Sequence, residues 1–172
     1  CVGPRSPWPN SHLYNRLYEC RILLWQCWLY GIHGFLYWAS QSYRHGRYGF
    51  GSNAYGDGWF IYDQNGKILD SIRWENYLEA QEDFEYLWLL NEVLESLEHT
   101  TDYGKKEIDD LKDQFKGLVS EVVGEKWNYC DEVTTLYDAR IKIGNLLDSF
   151  SSEINITSIG EAPWTPPYHL EV

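Results

Sequence analysis

The chain has 172 residues, enough to bury one sizeable core and, on length alone, to form one domain. It carries 14 Lys and Arg against 26 Asp and Glu, a net charge of −12. Such a surface repels phosphate backbones, which excludes nucleic acid as an expected partner.

The charge is unevenly spread. Residues 1–78 hold 7 basic and 5 acidic side chains (net +2), while residues 79–172 hold 7 and 21 (net −14). Aromatics are skewed the other way, with seven of nine Trp and ten of fourteen Tyr in the first 88 residues. The first half is therefore the expected functional half, and the second a solvated helical support. Cys1, Cys20, Cys27 and Cys130 show no CxxC pair and no Cys/His metal spacing, so no metal or other cofactor is expected. These cysteines read as free thiols and settle no redox compartment. The chain contains no Met, and its opening lacks the charged start and apolar core of a signal peptide. The expectation is a fragment of a longer parent, whose compartment the sequence leaves open, secreted or periplasmic being one reading.

In chain order, Pro4, Pro7 and Pro9 force an extended start, and Asn10 or Ser11 can cap the next helix. That helix is expected over Leu13–Tyr30, then a Gly-bounded turn over Gly31–Gly34 and a buried strand over Phe35–Ala39. The uncharged run from Ile22 to Tyr43 is long enough to span a bilayer, but Gln26, Gly31, His33 and Gly34 break it, so no membrane span is expected. A loop rich in Gly, Tyr and Arg covers 40–58. A second strand, Gly58–Tyr62, runs into Asp63-Gln-Asn-Gly66, a strong tight-turn signal.

The remainder reads as helical. Trp74–Leu97 carries an apolar stripe through Leu78, Phe84, Leu87, Leu90, Leu94 and Leu97. A second helix after Gly104 has Ile108, Leu111, Phe115, Leu118 and Val122 three or four apart, and Gly124 should stop it. A third starts near Asp131, and the Pro-containing tail, 152–172, is expected to be irregular. Short single strands alternating with helices point to parallel βα units. The expected fold is thus α/β: two to three units from the C-terminal part of a (β/α)8 (TIM) barrel over 1–100, a helical extension over 101–151 and the tail. Residues 2–12, 39–57 and 63–70 would be the loops of the active-site rim. An open piece of barrel exposes two sheet edges, so poor solubility in isolation is expected.

Several of these segments carry a resemblance. Arg21-Ile-Leu-Leu-Trp25, Gly34-Phe-Leu-Tyr-Trp38, Gly56-Asp-Gly58, Ser71-Ile-Arg73 and Glu82-Asp-Phe-Glu-Tyr-Leu87 resemble the domain of unknown function 4091. That domain is the C-terminal part of catalytic barrels similar to glycoside hydrolase family 123. The resemblance implies a β-N-acetylgalactosaminidase or related glycosidase acting on a glycan with N-acetylhexosamine. It also implies substrate-assisted retention, in which the 2-acetamido oxygen attacks the anomeric carbon while an adjacent Asp-Glu pair assists. In the family that pair lies earlier than this segment, so no catalytic residue is expected within the chain, and the rest of the parent chain is an expected partner. Asp131-Glu132 is adjacent in the right order but sits at a helix start, where carboxylates serve as dipole-stabilising caps.

Pocket aromatics are what the chain is expected to supply, because sugar C–H faces stack on Trp and Tyr. Trp38 is the first candidate platform, with core packing as its alternative. Tyr37 would point to the opposite face of the same strand. Tyr43 and Tyr55 in the following loop are lesser candidates. Asp57 is the acidic residue best placed to touch a ligand, the alternative being a turn-forming role. The rival functional reading is a non-catalytic carbohydrate-binding or structural module.

Overall fold

The computed structural model of the chain describes residues 7–41, 56–99, 103–125 and 127–150. Among these, four helices and one two-stranded ribbon occur: α1 (Glu19–Leu29), β1 (Tyr62–Gln64), β2 (Lys67–Leu69), α2 (Ile72–Leu97), α3 (Lys105–Val122) and α4 (Val133–Phe150). α1 lies on α2, and α4 packs against both α2 and α3.

The local signals explain the helices. α1 ends where Gly31 adopts φ +62°, with Ile32 N–H bonded to Cys27 C=O at 2.7 Å and Gly31 N–H to Trp28 C=O at 3.0 Å. That is the paired pattern of a Schellman terminus, which needs a residue tolerant of left-handed backbone. Ser71 starts α2, its hydroxyl accepting from the Trp74 N–H at 3.2 Å. Along α3, Ile108, Phe115, Leu118, Val119 and Val122 are buried, and along α4, Leu136, Ala139, Ile143, Leu147 and Phe150. These stripes meet Leu87, Leu90, Val93, Leu94 and Leu97 of α2 in one core, to which Ile22 and Trp25 of α1 contribute. Full burial of each large apolar side chain stabilises by about 2 kcal/mol.

A charged knot ties the bundle. Asp83, on α2, is fully buried and accepts from Arg21 Nε and Nη2, both at 2.7 Å, and from Trp25 Nε1 at 3.1 Å. Arg140, from α4, approaches the same carboxyl at 3.4 Å and bonds Glu79 at 2.6 Å and Glu82 at 2.8 Å. Arg21 is therefore a core residue whose burial is compensated by a bidentate partner.

The barrel expectation is overturned: the described residues form a helical bundle with a single antiparallel ribbon, not parallel βα units. The first helix begins at Glu19 rather than Leu13. Residues 35–39 form no strand, and Leu36 is 85% exposed. An apolar run becomes a strand only where a neighbour satisfies its backbone. Here the segment touches 59–61 through one isolated bridge, Gln41 with Trp59, and through Ser40 C=O, which accepts from Phe60 N–H at 2.9 Å. Its aromatics dock on α2 and on residues 57–60 instead of into a sheet. The second expected strand is displaced as well, since β1 starts only at Tyr62. β1 pairs antiparallel with β2 across Asn65 (φ +56°) and Gly66 (φ +79°), the two left-handed residues that the Asn-Gly signal anticipates. Without an open parallel sheet among the described residues, the reason for expecting poor solubility is gone. No helix of the described residues is long and apolar enough to cross a membrane.

Candidate substrate groove

Gly56-Asp57-Gly58 is the pivot of the site. Both glycines hold positive φ, +80° and +76°, and the turn they make buries Asp57 to 3% exposure. A Cβ on Gly56 would lie 2.6 Å from Leu13 Cγ and 3.1 Å from Arg73 Nη1, so only glycine fits there.

Arg73, buried in the first turn of α2, clamps this turn to the N-terminal segment. Its Nη1 donates to Ser11 C=O at 3.0 Å and Gly56 C=O at 3.2 Å, and its Nη2 donates to Trp59 C=O. The guanidinium also sits 5.5 Å from the Phe60 ring centroid. One α2 residue thus fixes three backbone carbonyls outside the helices and the ribbon.

One oxygen of Asp57 joins the aromatics. Oδ1 accepts from Trp38 Nε1 at 2.8 Å and from the Tyr37 hydroxyl. Burial and this hydrogen bond push the Tyr37 phenol well above its usual range, so it remains a donor. His12 is also buried, with Nε2 3.9 Å from the same oxygen and Nδ1 2.9 Å from the Tyr14 hydroxyl. Burial lowers the His12 pKa against the opposing pull of Asp57, with Arg73 lowering it further.

Beside this hub lies an open groove of about 560 Å³, within the range of small-molecule sites. Its walls include Phe35, Tyr37, Trp38, Phe60, Trp74 and Leu78. Trp38 and Trp74 are each 45% exposed. Tyr37 and Phe60 meet edge-on at 4.7 Å, Phe60 and Tyr77 at 5.1 Å, and the Tyr77 hydroxyl lies 2.5 Å from Ser11 Oγ. Polar groups at the groove are Ser40, Gln81 and Glu75. The Glu75 pKa is raised chiefly because its protonated carboxyl can donate a hydrogen bond to the neighbouring Asp70 side chain. The arrangement offers apolar ring surfaces beside hydrogen-bonding groups, which is what a sugar ring requires.

The structure brings Tyr37, Trp38 and Asp57 together. Tyr37 and Trp38 do not occupy opposite faces of a strand, because no strand forms there and both reach one carboxyl oxygen. Asp57 is buried behind the groove rather than open to it. Tyr43 and Tyr55 lie outside the described residues. Sequence reasoning overlooked Trp74, although Trp74, Tyr77, Leu78 and Gln81 are spaced three and four apart and share one helix face. Asp131 and Glu132 precede α4 and line a different cleft with Arg16, Leu17 and Tyr137.

The family model for glycoside hydrolase 123, catalytic domain, matches residues 1–90, which spans α1, the Asp57 turn, the ribbon and the groove face of α2. No match to a curated protein accompanies it. A match over just more than half of the chain's 172 residues, on the residues that build the groove, means that the chain belongs to the glycoside hydrolase 123 catalytic-domain family.

Proposed function

We propose that the chain supplies the sugar-holding groove of an enzyme that hydrolyses N-acetylhexosaminides, in the manner of a β-N-acetylgalactosaminidase. The observation that carries this reading is the pair of half-exposed indoles, Trp38 and Trp74, on the walls of one groove. Indole faces stack on the C–H face of a pyranose, and Ser40, Gln81 and Glu75 offer partners for its hydroxyls. The resemblance of residues 1–100 to the domain of unknown function 4091 supports the same substrate class. In this reading the 2-acetamido group of the substrate is the nucleophile, and the Asp-Glu pair that assists it lies in a part of the enzyme outside this chain. The chain's share of the work is to bind and orient the sugar.

Titration of the full chain with N-acetylgalactosamine, followed by tryptophan emission, tests this. A saturable change is expected, lost in Trp38→Ala and in Trp74→Ala while the melting temperature stays within a few degrees of the parent. A linear, unsaturable response in the parent chain would remove the groove as a sugar site.

A further inference from the structure

We propose that Asp57 is a positioning residue: it stays clear of the sugar and sets the Tyr37 and Trp38 side chains in place before a ligand arrives. The inference rests on the groove being the sugar site and adds a division of labour within it. Three observations carry it.

Asp57 is almost completely buried and is not part of the groove wall, yet both side chains that donate to its Oδ1 are. Two donors on one oxygen fix each ring at its polar end, which leaves the apolar part of each to line the groove. The turn itself is held in place, because Arg73 grips Gly56 C=O and Trp59 C=O on either side of Asp57 and Gly58. Tyr37 and Trp38 belong to a segment with no ladder of its own, so this carboxyl stands in for the backbone order that a strand would give. Rings held in their bound rotamers lose less entropy when a ligand docks, which raises affinity without any new contact.

The test compares N-acetylgalactosamine binding by the full chain and its variants, with the Trp38 indole N–H followed by proton–nitrogen correlation spectra. Asp57→Ala is expected to move the Trp38 N–H resonance and to weaken binding about tenfold. In a Tyr37→Phe, Trp38→Phe background, which keeps two rings but removes both donors, the same substitution is expected to cost less than about twofold. An equal loss in both backgrounds would overturn the proposal, since Asp57 would then be acting on the sugar directly. So would a displaced Trp38 resonance with unchanged affinity. Should Asp57→Ala fail to fold, Asp57→Leu, which fills the space but offers no acceptor, carries the same comparison. Absence of saturable binding by the parent chain is a distinct result: it removes the sugar-site reading itself, and the positioning role with it.

Discussion

Asp57 and Asp83 are both buried carboxyl groups, yet the donors described on them differ in kind. Asp83 sits in the bundle against two guanidiniums and an indole, at 2.7 Å from Arg21 and 3.4 Å from Arg140. Asp57 sits behind the groove, where it accepts from the uncharged phenol of Tyr37 and indole of Trp38, with His12 Nε2 3.9 Å away. A carboxyl matched by cations fastens helices together, because removing it strands buried charge. A carboxyl that accepts from two aromatic side chains also helps to set where those aromatics stand. The first belongs to the architecture, and the second to the site.

The largest effect that separates the two regions is expected at Asp83. Asp83→Ala should lower unfolding free energy by about 3–5 kcal/mol, read by urea denaturation, because Arg21 is left buried without its bidentate partner. A loss below about 1 kcal/mol would show that Glu79, 3.8 Å from Arg21, suffices as its partner and would blur the distinction. Next comes Gly56→Ala. The added Cβ meets Leu13 Cγ at 2.6 Å in a left-handed conformation, so a loss of about 2 kcal/mol is expected, together with loss of N-acetylgalactosamine binding. Retained binding at reduced stability would separate the turn from the groove.

The smallest effect concerns pH. The folded chain holds the His12 pKa below its ordinary value, chiefly by burial. Between the ordinary value, near 6.5, and the lowered folded value, the unfolded chain takes up a proton that folded His12 refuses. Stability is therefore expected to fall as pH drops below about 6.5, and His12→Gln should remove part of that slope. An identical pH profile for the variant would show that His12 is not the group responsible.

Much of the bundle is legible in the residues. The stripe from Leu87 to Leu97, the spacing of Ile108, Phe115, Leu118 and Val122, and the Asn65-Gly66 turn are local signals, and each element occurs where its period or turn chemistry predicts. Phe35-Leu-Tyr-Trp38 fails as a strand because a short apolar run has the same composition whether it enters a sheet or folds against a helix. The choice depends on whether a partner backbone is present. Burial of Arg21 is illegible for a related reason: nothing within α1 indicates that Asp83, 62 positions away, will be there to receive it.

The site divides in the same way. The residue types and their clustering in the first half of the chain point to Tyr37, Trp38 and Asp57 as candidates, because ring faces and turn glycines are properties of single residues. Tertiary structure decided that Tyr37 and Trp38 share one oxygen of Asp57, that Arg73 locks the turn around it, and that Trp74 arrives from another element to line the groove with Trp38. Periodicity and turn chemistry act over a few residues, so the chain declares them locally. Shared hydrogen bonds and converging walls exist only once distant segments have packed.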